Sequence, residues 1–176
     1  AKNPPAAGKK GKAAALTAAK FKVTVPAEVP PGTYDVRVSS KLGLSNPRAF
    51  VVGTLPEVEE KEPNNDVPEA QKIALGTVVS GVIANPQDVD YFAFPAKAGQ
   101  RVLVHCATSS IDSRARPLVE VYAADNRKLA MSRNYADNDA LADVTVPADG
   151  EYLVRVCEFA YQAGSPAAVR VATDVR

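Results

Sequence analysis

The run from Glu151 to Phe159 is the longest alternating stretch in the chain. Tyr152, Val154 and Val156 fall on one side, and Leu153, Arg155 and Cys157 on the other. That is the period of two that a pleated strand imposes. Shorter pieces repeat it: Thr77 to Ile83, Tyr91 to Phe94, Arg101 to Ala107, Pro117 to Tyr122, Leu129 to Ser132, Leu141 to Val146 and Ala167 to Thr173. Turn residues stand between them, at Gly99-Gln100, Ala124-Asp125-Asn126, Pro147-Ala148-Asp149-Gly150 and Gly164-Ser165-Pro166. No stretch of useful length carries the helical period. About eight short strands at regular spacing predict a β-sandwich or jelly roll.

The chain ahead of this block has its own pattern. Phe21, Val23 and Val25 alternate, Pro30-Pro31-Gly32-Thr33 marks a turn, and Tyr34, Val36 and Val38 alternate again. Gly43 and Asn46-Pro47 punctuate before a third run, Ala49 to Val52. Three strands with tight turns make an antiparallel meander that cannot bury both faces alone. Residues 1–20 are small and polar, with Lys9, Lys10 and Lys12 among them. They read as a flexible tail or loop, or as a small basic patch for an acidic partner. Between the two β-blocks lies Glu60-Lys61-Glu62-Pro63-Asn64-Asn65-Asp66. So many carboxylates and amides do not belong in an apolar core. The stretch is either a solvated linker or a set of oxygen ligands for a hard cation. Pro68 to Ala74 reads as one short helical turn or an irregular edge.

Bulk properties exclude several function classes. The net charge is +1, so no global field favours nucleic acid or an anionic membrane. No apolar run approaches the roughly 20 residues that cross a bilayer. No signal peptide is visible because residue 1 opens a polar stretch, which implies a processed or excised chain. The one histidine, His105, sits within a strand and alternates away from Val104 and Cys106. It therefore forms no Cys/His pair with Cys106. There is no G-x-S-x-G elbow and too few His and Cys ligands for zinc, so an enzyme is not expected. Cys106 shares a face with Val102 and Val104, and Cys157 lies opposite Val154 and Val156; they read as two separate thiols or as one disulfide. Asp137, Asn138, Asp139 and Asp143 read as a polar hairpin turn or a weak cation site. Phe159, Tyr161 and Tyr135 fall at strand ends or loops, where aromatics serve as contact residues.

Two resemblances add to this reading. The stretch FKVTVPAEVPPGTYDVRVSSKLGLSNPRAFVV resembles the last strands of an IPT/TIG-type immunoglobulin-like domain, without the earlier strands. The blocks EKEPNNDVPEAQKI, DVDYFAF with AKAGQRV, ADNRKLA and VTVPADGEYLVRV resemble, in order and spacing, the bacterial pre-peptidase C-terminal domain, from about Glu60 to Val171. Members of that family are jelly-roll sandwiches on secreted proteases and other exported bacterial proteins. Tandem modules of these two kinds resemble those of large exported planctomycete proteins. The resemblances imply an all-β chain: a jelly-roll-like β-sandwich preceded by a partial immunoglobulin-like β-meander. Its parts would be a tail over 1–20, a partial module over 21–55, an acidic linker over 56–66 and the sandwich over 67–176.

The collagen-binding domains of clostridial collagenases are similar to this family, and their Glu-x-Glu-x-Asn-Asp linker binds Ca²⁺ together with a later loop. By that resemblance Glu60, Glu62, Asn64 and Asn65, with Asp90 and its neighbour Asp88, are the implied ligands. Asn65 stands where the pattern has an aspartate, and Gln87 where a further acid is expected; fewer negative ligands weaken such a site. The alternative is that Glu60 and Glu62 are solvated, Asn64 and Asp66 cap the following turn, and Asp88 and Asp90 bond backbone amides. The function implied is a non-catalytic accessory module for binding or targeting within a larger exported protein, secreted, extracellular or periplasmic, with a protein or extracellular polymer as partner. A structural subunit of a surface assembly is the second expectation, docked through its incomplete immunoglobulin-like half onto its parent chain or another subunit. A domain that assists folding or secretion of an attached protease is the third.

Overall fold

The computed structural model describes residues 21–133, 137 and 139–160, and the backbone of 165–173. Two five-stranded sheets face each other. One runs in the order β11 (Lys128–Ser132), β10 (Pro117–Tyr122), β13 (Gly150–Glu158), β8 (Val89–Ala96), β6 (Gln71–Lys72). The other runs β12 (Ala140–Thr145), β9 (Arg101–Ala107), β14 (Ser165–Thr173), β7 (Thr77–Ile83), β5 (Glu57–Glu59). Most neighbours in space are not neighbours in sequence, so strands cross repeatedly between the sheets, as in a jelly roll.

The alternation read from the sequence decides which face is buried. Phe92 and Phe94 of β8, Val102 and Val104 of β9, Val119 and Val121 of β10, and Val154 and Val156 of β13 meet between the sheets. Each such side chain contributes about 1.5–3 kcal/mol when taken from water. Tyr152 lies in the same layer, and its hydroxyl reaches out of the core to donate to the Ala148 carbonyl at 2.7 Å. Cys106 faces this core and Cys157 faces outward from the opposite sheet. The two thiols are free, and burial pushes both above the usual thiol range.

The acidic stretch is not a free spacer. Glu57–Glu59 adds a parallel strand to β7 at the edge of one sheet, and Gln71–Lys72 adds one to β8 at the edge of the other. Between them the chain crosses from sheet to sheet. Backbone bonds fix the crossing: Val78 N to Pro56 O, Glu60 N to Ser80 O, Tyr91 N to Asn64 O and Ile73 N to Ala93 O. The physical reason is that β7 and β8 would otherwise expose rows of unpaired peptide groups, which the passing chain satisfies. Between Asn64 and Gln71 the chain makes one 3-10 turn, Val67–Glu69, capped by the Asp66 carboxylate on Val67 N. The helical turn and the edge expected over 68–74 are thus both present, in succession.

The leading module is smaller than expected. β1 (Gly32–Val36) pairs antiparallel with β4 (Arg48–Val52), and β2 (Ser39–Ser40) with β3 (Gly43–Leu44) forms the tip of the hairpin. Phe21 to Val25, expected as a strand, is not one; Phe21 and Val23 are 66% and 52% exposed. Alternation chooses a face, but a strand also needs a neighbour for its peptide groups, and these residues have none among the described residues. The hairpin meets the sandwich beside Asp112. Asp112, in the left-handed region at φ 59°, accepts Ala49 N at 2.5 Å, beside the 3-10 turn Ser109–Ile111.

Phe94 is fully buried and Val82 half exposed, although both lie on strands of the sandwich. Phe94→Ala is expected to lower unfolding stability by about 3–5 kcal/mol and Val82→Ala by less than about 0.5 kcal/mol, read from urea midpoints.

Candidate metal centre

The crossing carries the acidic residues to the start of β8. One oxygen each from Glu60, Glu62 and Asp90 lies within 4.8 Å of the others. Oxygens sharing one Ca²⁺ at about 2.4 Å stand at most about 4.8 Å apart, so the spread leaves room for a common ion. Each ligand is held by its own backbone context. Gly81 lacks a side chain where the Glu60 carboxylate lies, and a Cβ there would collide with it. Glu60 is thereby laid against β7, where Val82 N donates to its Oε2 at 3.1 Å. Glu62 Oε2 accepts Asn64 N and Asn65 Nδ2, both at 3.1 Å. Asn64 is fully buried, and its Nδ2 donates to Glu60 Oε1 at 3.3 Å.

Two acceptors remain. Asn64 Oδ1 and Asp90 Oδ1 are buried with no hydrogen-bond partner. Asp90 is 4% exposed. Burial, and then the charges of Glu60, Asp88 and Glu62, raise its carboxyl to about 8. Carboxylate oxygens with surplus negative charge are the donor type that a hard divalent cation takes.

Of the six residues implied by sequence, the structure gathers Glu60, Glu62, Asn64 and Asp90 at one place. Asn65 is exposed and serves through its amide, which orients Glu62. Asp88 is buried but accepts Ala84 N at 2.5 Å; it adds to the field at Asp90 without joining the close group. Asp66 caps its turn, whereas Asn64 turns inward. Gly81 was not singled out from the sequence. Its signal is a glycine inside an otherwise alternating strand, the usual mark of a close approach.

The other candidates resolve differently. Asp139 is buried, and its Oδ1 takes Thr108 N, Ser109 Oγ and Ser110 N. Burial alone would raise its carboxyl, but these donors outweigh it and hold it low. Asp143 forms a bidentate pair with Arg101. Asn138, Tyr135 and Tyr161 lie outside the described residues. Phe159 is about half exposed, with the Arg133 guanidinium 4.2 Å above its ring. His105 Nε2 lies 3.4 Å from Asp139 Oδ2. One cluster went unseen in the sequence: Glu120, buried on the outer face of its sheet, binds Lys128, Arg155 and Tyr122. Burial there too is outweighed by the cationic donors, so its carboxyl stays low.

No family model matches the chain. The "Probable subtilase-type serine protease" of Deinococcus radiodurans is 32% identical over 106 residues, which is 56% of this chain and 14% of that protein. Among solved structures, the pre-peptidase C-terminal domain of a collagenase from Bacillus anthracis superimposes with a TM-score of 0.51 at 15% identity, covering 61% of this chain and 99% of that domain. The sandwich therefore has the fold of a pre-peptidase C-terminal domain.

The Asp90 carboxyl gives a pH test. Its value rises from an ordinary 3.8 to about 8 on folding. Between those limits the folded chain holds a proton that the unfolded chain has released, so stability falls as pH rises through that window. In chelator the slope is expected to reach at most about 1.4 kcal/mol per pH unit and to vanish above the upper limit. Asp90→Asn should remove that slope. Urea unfolding at a series of pH values measures both.

Proposed function

We propose that this chain is a non-catalytic accessory module of a larger exported protein, and that its acidic crossing holds a Ca²⁺ ion that stiffens the junction with the hairpin module ahead of it. The observation that carries the reading is the close approach of the Glu60 and Glu62 carboxylates to the buried Asp90, whose Oδ1 has no hydrogen-bond partner. Glu60, Glu62 and Asp90 bring the charge, and the Asn64 amide donates to Glu60 Oε1. Asn65 and Gly81 keep Glu62 and Glu60 in place. When bound, Ca²⁺ supplies the positive charge that offsets the mutual repulsion of the three carboxylates. Residues 53–56 alone separate β4 from β5, so fixing the crossing restricts the hairpin as well.

The arrangement of His105 supports an accessory rather than a catalytic role. Ser109 Oγ donates to Asp139 Oδ1 and His105 Nε2 lies against Asp139 Oδ2, so both side chains address one carboxylate. A serine nucleophile needs the histidine as its own acceptor. The comparisons support the same reading. The relative from Deinococcus matches over a small share of a protease, and the solved relative is an appended domain of a collagenase. The stacked Arg133 and Phe159 offer an exposed contact point for a protein or an extracellular polymer.

The test is the thermal midpoint with Ca²⁺ and with excess chelator. Ca²⁺ at about a hundred times its Kd should add about 2.7 kcal/mol, a rise of several degrees. Glu62→Ala and Asp90→Ala should lose the rise. Gly81→Ala should fold yet respond weakly, because the flexible Glu60 carboxylate is displaced rather than the backbone. An unchanged midpoint at millimolar Ca²⁺ would overturn the proposal.

A further inference from the structure

The hairpin module presents a strand edge with no neighbour. β1 pairs with β4 on one side, and among the described residues no strand lies on its other side. The direction of its peptide groups follows from one hydrogen bond. Ala49 N donates to Asp112, so Ala49 turns its peptide groups away from β1. Its partner in register, Asp35, must then turn its own away from β4, because opposed residues of an antiparallel pair share that property. Thr33 and Arg37, two residues either way, do the same. The alternation runs on past the end of β1, since Val38 is tied inward to Ser45 by its N–H and its carbonyl. Thr33, Asp35 and Arg37 thus offer a row of donors and acceptors that no described strand uses.

The side chains along this edge are unusual for an unpaired strand. Open edges are normally blunted by like charge, proline or a bulge. Here the edge carries one anion and one cation two residues apart, Asp35 and Arg37, both exposed. On the other face Tyr34, Val36 and Val38 are also exposed. This pattern complements itself. We infer that the edge is an interface with a second copy of this chain: two β1 strands pair antiparallel about a two-fold axis at Val36, joining two hairpins into one four-stranded sheet. With the axis there, Asp35 of each copy stands opposite Arg37 of the other, Tyr34 stands opposite Val38, and Val36 meets its own image. Two neighbouring registers fail. An axis at Asp35 sets two carboxylates face to face. An axis at Tyr34 sets Arg37 opposite Pro31, which has no N–H to give. The two-fold arrangement is the ordinary isologous solution for a self-complementary edge. It is independent of the cation site at the far side of residues 53–56.

Sedimentation velocity on the full chain over a wide concentration range, with Ca²⁺ and with chelator, tests this. The chain is expected to dimerise reversibly in both. Asp35→Arg and Arg37→Asp should each weaken association about tenfold or more, since each sets like charges opposite at both pairings. An equal mixture of the two variants should recover the dimer, because it restores a cation opposite an anion at every pairing. Hydrogen exchange at the Thr33 and Asp35 amides of the unsubstituted chain should slow as concentration rises, a readout that needs no variant to fold. A chain that stays monomeric throughout overturns the inference. So do single reversals that dimerise as well as the parent, or a mixture that stays monomeric. Edge amides whose exchange slows only on adding an unrelated extended peptide would assign the edge to a foreign strand instead.

Discussion

Three carboxylates brought this close together, one of them buried, repel one another as anions unless something positive lies among them. That constraint governs the crossing of this protein. Glu60, Glu62 and Asp90 approach within 4.8 Å of one another, and Asp88 stands close enough to add to the repulsion. A proton relieves it in part: burial first, and then these charges, drive the Asp90 carboxyl up. The crossing also carries two edge strands, one on each sheet. Its position therefore depends on how this charge is balanced. If the crossing were pushed away from β8, β5 and β6 would have to loosen with it, and the backbone bonds from Glu60 and Asn64 would break.

The other buried acids show that this pocket is exceptional. Glu120 sits on the outer sheet face with Lys128 and Arg155 at bonding distance and a tyrosine hydroxyl beside them. Asp139 has two backbone amides and a serine hydroxyl on a single oxygen. Glu158 accepts Arg116 N. Each has found donors or cations from its own chain, and for Glu120 and Asp139 the result is a carboxyl held below its usual range despite burial. Asp90 is the reverse case: the neighbours that act most strongly on it are themselves acids. The fold supplies donors to its other buried carboxylates, and Asp90 stands apart from them in having an oxygen without a partner.

Where burial alone decided the outcome, the architecture was legible in the sequence. Val102, Val104 and Cys106 fell on one face because only one face of β9 meets the core, and the period of two records that choice directly. Partnership was not legible. Phe21 to Val25 alternates as cleanly as β9 does, yet pairs with nothing described, because alternation carries no information about which strand lies alongside. The acidic stretch failed as a spacer for the converse reason. Glu57, Glu59, Gln71 and Lys72 look solvated, and they are largely exposed, but their backbones close two sheet edges. At the candidate site, the ligand types were readable from Glu60, Glu62 and Asp90, while the roles of Asn65 and Gly81 required the register of β7 and the path of the crossing. The Glu120 cluster needed the pairing of Glu120 with Arg155 across β10 and β13, which no local pattern announces.

The same logic connects the two ends of the molecule. A two-stranded hairpin has marginal stability by itself. Here it rests on the sandwich through Asp112 and through residues 53–56, and both anchors act on β4. β1, the outer strand, is held by β4 and by the Tyr34 hydroxyl on the Pro30 carbonyl. Any partner that supplied hydrogen bonds to Thr33 and Asp35 would therefore stabilise the whole hairpin, and through β4 would steady the contact at Asp112.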